Sequence, residues 1–290
     1  MILPDFVLPS RQNQVWTESG IDSLRDCIDK NHFKSYPHQI EYRYNSRGFR
    51  DAEWPEDLAQ LKQAIWCLGD SFTMGIGSPL EHTWVAQVSK QLDTRAINVS
   101  LDGASNYWIA RKTLDILTHI QPDVIIIQWS YIHRTESNDV TLSDEDRRTH
   151  YNLVNYYNDL DLGLAFIELV KKVEVAKQHT KVIHSFIPKF GIDINVSDAW
   201  TRIAGPNWPP CPATLDEFNA LGPGIVDELI NFFKLYNIFK LYYNLYHNIE
   251  YLPEIKNLDL ARDGHHYGIL TAQHVAIGVR RWLNQDRSFS

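Results

Sequence analysis

Between residues 61 and 188, short apolar runs alternate with segments of helical periodicity, and this alternation limits the fold more than any other feature of the chain. AIWCLG (64–69) is almost wholly apolar and ends on Gly, the pattern of a strand covered on both faces. Trp84, Val85, Val88 and Leu92 then recur at helical spacing within 80–93, and AINVSL (96–101) reads as the next strand. A helix near 106–120 (Trp108, Ile109, Leu114, Leu117), the strand DVIIIQWS (123–130), a helix near 163–179 and the strand KVIHSFIP (181–188) continue the series. Strands that alternate with helices build βαβ units, so the expectation is an α/β protein around a buried parallel sheet.

The ends of the chain break the pattern. Residues 1–60 hold scattered turn formers and aromatics, as in YPHQIEYRYNSRGFRDAEWP, and are expected to form an irregular N-terminal extension packed on one core domain, residues 61–290. Residues 189–224 are rich in Pro, Gly, Asn and Trp (AGPNWPPCPA), and 225–247 carry Leu, Phe and Tyr at spacings of three and four. Together they read as an insert or lid, about 189–247. Its aromatic helix suits packing on the core or on a second subunit. A sugar-stacking platform or a membrane-surface helix is the sharper alternative, with Asp227, Glu228 and only two Lys against the latter. A strand near 249–252, the loop NLDLARDGHHYG and a helix from Ile269 to Leu283 close the chain.

With 290 residues, 44% of them hydrophobic, the chain can bury a full core. Lys+Arg 28 against Asp+Glu 36 gives a net charge of −8, which argues against nucleic acid or an anionic membrane surface as partner. Cys27, Cys67 and Cys211 form no CxxC pair, so neither a disulfide framework nor a zinc ribbon is expected and a reduced, cytoplasmic setting fits. No stretch approaches the ~20 apolar residues of a membrane span, so membrane insertion is not expected.

The chemistry-bearing residues sit in two short segments. GDSFTMG (69–75) follows the first core strand, at the carboxyl edge where doubly wound sheets place their ligands. Ser71 there can present its hydroxyl as a nucleophile, or serve only as a helix N-cap. A neutral hydroxyl needs a base, and the base needs an orienting group. DGHH (263–266) offers both: Asp263, three residues before His266, can accept the Nδ1 hydrogen while Nε2 faces Ser71. Asp70 is expected to hold the bend through backbone hydrogen bonds, and His265 to point elsewhere. No second ligand cluster accompanies Asp263, His265 and His266, so no metal is expected. GIG (75–77) lacks the third Gly of a dinucleotide loop and no GK[ST] follows, so no nucleotide cofactor is expected either. Thr73 excludes a GxSxG elbow.

On these segments the sequence resembles the SGNH, or GDSL, hydrolases: GDSFTMG as first block, Gly103 in NVSLDGAS as second and Asp263-x-x-His266 as last, in family order over residues 64–283. YRYNSRGFRD is similar to the N-terminal segment of some bacterial and phage members. The resemblance implies a three-layer α/β/α sandwich on a five-stranded parallel, doubly wound sheet of flavodoxin-like order. It also implies a serine esterase or acyltransferase, with Ser71 as nucleophile, His266 as base, Asp263 as its partner and the N–H groups of Ser71 and Gly103 as oxyanion hole. The family's third block, Gly-x-Asn-Asp, is replaced by Gln128-Trp129-Ser130-Tyr131, with Ser130 at the Asn position. Either Ser130 supplies the missing donor, or Arg134 reaches in, or activity is weak. Ser130 could equally be a polar strand end, and Arg134 could be half of an ion pair with the adjacent Glu136. Asn98 and Trp129 complete the supporting set, although for Asn98 and Gly103 close backbone packing is the competing role. The activity expected is hydrolysis of a small acyl ester, acetyl on a glycan or other small molecule, without cofactor. Transfer to a glycan hydroxyl, or glycan binding on a degenerate hydrolase fold, are the alternatives.

Overall fold

The structure, a computed structural model, describes residues 6–17, 22–27, 39–131, 134–137, 139–147, 159–187, 250–251 and 258–285. The expected insert at 189–247 lies outside the described residues.

Each apolar run forms a strand because its side chains are buried on both faces, as a parallel sheet requires. Ahead of the sheet, β1 (Val15–Trp16) and β2 (Tyr42–Arg43) pair as a small antiparallel ribbon, with the four-residue helix α1 (Leu24–Cys27) between them in the chain. The sequence carried no sign of this ribbon, since two residues per strand are too few to set up an alternation. The main sheet contains β3 (Ile65–Gly69), β4 (Ala96–Ser100), β5 (Val124–Trp129) and β6 (Lys181–Phe186), all parallel, in the order β4-β3-β5-β6. A two-residue strand, β7 (Glu250–Tyr251), runs parallel along the outer edge of β6.

The helices cover both faces. The four-residue α2 (Ser71–Met74) follows β3 directly, and α3 (Trp84–Leu92) leads to β4. Next come α4 (Asn106–His119), α5 (Asp144–Arg147), α6 (Asp159–Ala176) and, at the C-terminal end, α7 (Ile269–Gln285). α3 packs with α7, and α4 with α6. Strand parity divides the core accordingly. Trp66, Leu68, Ile97, Val99, Ile125, Ile127, Trp129 and Val182 pack in the layer of α4 and α6. Ile65, Cys67, Ile126 and Ile183 pack in the layer of α3 and α7. The chain moves from β3 to β4 across one face, and from β4 back past β3 to β5 and β6 across the other. That is what right-handed crossovers demand when strand order reverses.

The N-terminal segment contributes to the α4–α6 layer itself. Phe6, Leu8, Phe49, Trp54 and Leu58 belong to its buried cluster. Phe49 stacks on Trp54 at 4.8 Å between ring centroids, and Trp54 and Phe6 both approach Trp66 edge-on, at 6.0 and 6.2 Å.

Candidate active site

Strand order reverses at β3, between β4 and β5, and the loops beyond the carboxyl ends of these strands form the crevice where open α/β sheets place their sites. β3 ends on Gly69, which the bend requires: a Cβ there would sit 2.0 Å from Thr73 Oγ1. Asp70 caps α2 by accepting from the Phe72 N–H at 3.0 Å, which sets Ser71 at the first position of the helix. The helix stops after one turn because Gly75 adopts φ +79°, a left-handed cap.

The loop after residue 258 brings the second segment to the same point. Asp263 Oδ1 accepts from the backbone N–H groups of His265 (3.0 Å) and His266 (3.1 Å), an Asx turn that fixes the loop. Its Oδ2 meets His266 Nδ1 at 2.5 Å, and His266 Nε2 lies 2.8 Å from Ser71 Oγ. The hydrogen is assigned to Nδ1 by its carboxylate partner, which leaves the Nε2 lone pair for the serine hydroxyl. Burial pushes the Asp263 carboxyl up, but the hydrogen bond and charge of His266 and the two backbone N–H groups outweigh it, so it stays below the usual carboxylate range. The His266 ring packs on Phe72 at 4.5 Å between centroids. Ser71 and His266 are 2% and 3% exposed, so their hydrogen bonds operate at low local dielectric. His265, adjacent to this pair, is exposed, with its Nε2 3.4 Å from Tyr131 Oη.

Residues just beyond β5 contact the serine turn through Asp70. Ser130 donates its hydroxyl hydrogen to Asp70 Oδ2 at 2.6 Å and accepts from Arg134 Nη1 at 2.7 Å. Arg134 Nη1 also pairs with Asp70 Oδ2 at 2.5 Å. Arg134 thus pairs with Asp70, while the neighbouring Glu136 is held by Arg111 (2.5 Å) and Arg147 (3.5 Å). The physical reason is burial: Asp70 is fully enclosed, so its carboxylate requires a cation as well as the α2 cap. Ser130 has a single hydroxyl hydrogen, and Asp70 takes it.

The remaining expected residues divide between core and site. Trp129 is wholly buried in the α4–α6 layer, edge-on to Phe166 and donating from Nε1 to His184 Nδ1 at 2.9 Å, because strand parity turns it away from the side of Gln128. It supports the core and not the site. Asn98 Nδ2 donates to Thr73 O at 3.2 Å and its Oδ1 accepts from Ser100 Oγ at 2.6 Å, which ties β4 to α2. Gly103 turns at φ +72° beyond β4. Among the described residues no group accepts from the N–H of Ser71 or of Gly103.

Four supporting side chains were not singled out as supports by the sequence. Thr73 Oγ1 donates to Gln128 Oε1 (2.8 Å), and Gln128 Nε2 donates to Tyr267 Oη (2.9 Å), linking the serine turn to the residue after His266. Asn106 brackets the Ser130 backbone, accepting from its N–H at 2.8 Å and donating to its carbonyl at 3.0 Å.

No family model matches the sequence, and a search of curated proteins found no match. Solved structures do match. The chain resembles esterases and lipolytic proteins of the GDSL family. One is an inhibitor-bound aryl esterase of M. smegmatis, at 15% identity over 77% of this chain and 99% of that one, with a TM-score of 0.44. A carbohydrate acetylesterase family member from Sinorhizobium meliloti matches at 15% identity over 77% and 99%, TM-score 0.42. A lipolytic G-D-S-L family member from Veillonella parvula matches at 15% identity over 76% and 97%, TM-score 0.38. Among the described residues no helix is long and apolar enough to cross a membrane, and no group of three His, Cys, Asp or Glu is arranged to hold a metal ion.

Proposed function

We propose that this chain hydrolyses carboxylic esters through a covalent acyl-serine intermediate. The observation that carries the reading is the continuous chain Asp263–His266–Ser71, with contacts of 2.5 and 2.8 Å between groups 195 residues apart in the case of His266 and Ser71. Ser71 Oγ attacks the ester carbonyl while His266 Nε2 takes its proton, and Asp263 holds the imidazolium that forms. The N–H groups of Ser71 and Gly103 receive the oxyanion. Collapse of the tetrahedral species breaks the bond to the alkoxy oxygen, to which His266 returns the proton. Water then attacks the acyl-serine with His266 as base, releasing the acid and restoring Ser71.

A small acyl group, acetyl on a carbohydrate or similar alcohol, is the substrate class proposed, and the enclosure of Ser71 favours a small acyl over a long one. The same enclosure gives transfer to a bound hydroxyl a specific argument, since a site that excludes water lets a docked alcohol compete for the acyl-serine. The test is turnover of p-nitrophenyl acetate by wild type and Ser71→Ala, with and without added saccharide. Loss of turnover and of fluorophosphonate labelling in Ser71→Ala is expected; equal rates in the two proteins refute the reading.

A further inference from the structure

Residues of the N-terminal segment, with Arg262 of the histidine loop, form a buried polar cluster that holds the two reacting loops in register and that the reaction itself does not use. Arg50 is 1% exposed, and its guanidinium donates to the carbonyls at the end of the serine turn. Nη1 reaches Met74 O (3.0 Å) and Gly75 O (2.6 Å), while Nη2 reaches Ser78 O (2.8 Å) and Glu41 O (3.3 Å). It lies over the ring of Tyr42, 4.1 Å from the centroid. Tyr42 Oη accepts from the Gly77 N–H at 2.8 Å and donates to Asp22 Oδ2 at 2.5 Å. Asp22 Oδ2 in turn pairs with Arg262 Nη2 at 3.2 Å, both side chains being fully enclosed.

Gly77 is the joint. Its N–H is held by Tyr42, and its carbonyl accepts from the Arg262 N–H at 3.1 Å, one residue before Asp263. Gly77 adopts φ +76°, and a Cβ there would meet Ala261 Cβ at 2.9 Å and Asp263 Oδ1 at 3.2 Å. The serine turn and the histidine loop therefore touch at this residue, and the Tyr42–Asp22–Arg262 chain spans the contact from behind. A displacement of the serine turn along this joint changes the Ser71–His266 separation directly.

We propose that Tyr42 and Arg50 are positioning residues for the Ser71–His266 pair, acting through Gly77 and the carbonyls of Met74, Gly75 and Ser78. The inference rests on the hydrolase reading for its kinetic consequence, but not for its geometric one. Near-attack geometry is sensitive to shifts well below an ångström, so loosening this clamp lowers turnover and leaves substrate binding intact.

Tyr42→Phe is the decisive variant, because it keeps the ring beneath Arg50 and removes only the hydroxyl. In the full chain, kcat for p-nitrophenyl acetate is expected to fall about tenfold with KM within about twofold, as a loss of alignment predicts. A second readout does not need turnover: the downfield proton resonance of His266 Nδ1 should broaden and exchange faster in Tyr42→Phe than in wild type. Should Tyr42→Phe fail to fold, Arg50→Lys, which keeps the charge but not the fork, is read by the same two measurements. Unchanged kcat, or in an inactive wild type an unchanged His266 resonance, overturns the proposal. Absence of Ser71-dependent labelling in wild type overturns the hydrolase reading alone.

Discussion

On the proposed mechanism, replacing Asp263 by Asn separates the proton chemistry of the site from its shape. The carboxamide oxygen keeps the Oδ1 position that accepts from the His265 and His266 N–H groups at 3.0 and 3.1 Å, so the loop retains its turn. The other limb becomes an NH2 group facing His266 Nδ1, where a carboxylate oxygen now stands at 2.5 Å. An amide there can only donate, which forces Nδ1 to accept and puts the ring hydrogen on Nε2, pointing at Ser71 Oγ. The base is then in the wrong tautomer, and the cation formed during attack loses its counter-charge. In serine hydrolases of this logic such an exchange costs ~10⁴ in kcat, equivalent to about 5 kcal/mol of transition-state stabilisation. The folded state loses much less, about 1.5–3 kcal/mol for one charge-assisted hydrogen bond. The assay is single-turnover release of p-nitrophenol from its acetate, with urea unfolding of the same variant as control. A rate within about tenfold of wild type in a folded Asp263→Asn protein would refute the assignment of Asp263 as the orienting group.

Two further outcomes follow from the buried charges. Arg134→Met strips the cation from Asp70, a carboxylate with no exposure, and should cost about 3–5 kcal/mol in urea unfolding; a loss under about 1 kcal/mol would show that Ser130 and the α2 cap satisfy Asp70 alone. Glu174 is pushed up by burial, but its hydrogen bond with His184 at 2.9 Å and the nearby Lys177 outweigh this and hold it below the usual range. A carboxyl with a depressed folded value stabilises the protein above its unfolded value of about 4.3, and that stabilisation is lost as pH falls through the folded value. Glu174→Gln cannot titrate, so its deficit in unfolding free energy should be widest near neutrality and should shrink as pH falls below the unfolded value of about 4.3. A deficit that stays constant down to pH 3 contradicts the sign.

Much of the architecture was legible because burial on both faces of a parallel sheet leaves a pattern that single residues cannot mask, as in AIWCLG and DVIIIQWS. The Ser71–His266–Asp263 chain was legible for a different reason: the chemistry admits few residue types, and a strand end and a three-residue spacing limit where they can lie. The clamp behind Gly77 met neither condition. Asp22, Tyr42, Arg50 and Arg262 share no period, and nothing in the sequence distinguishes Arg50 from an exposed arginine. Arg134 misled by proximity, since Glu136 is two residues away and Asp70 sixty-four, yet the buried carboxylate has the greater need of a cation. Trp129 could have been excluded by parity alone: it shares a strand face with Ile125 and Ile127, in the layer of α4 and α6. Polar residues in such a molecule thus divide by what their partners lack. The groups proposed to react are readable because each must complement a side chain of known chemistry, whereas the residues that hold them complement backbone carbonyls and N–H groups, which every position in the sequence offers alike.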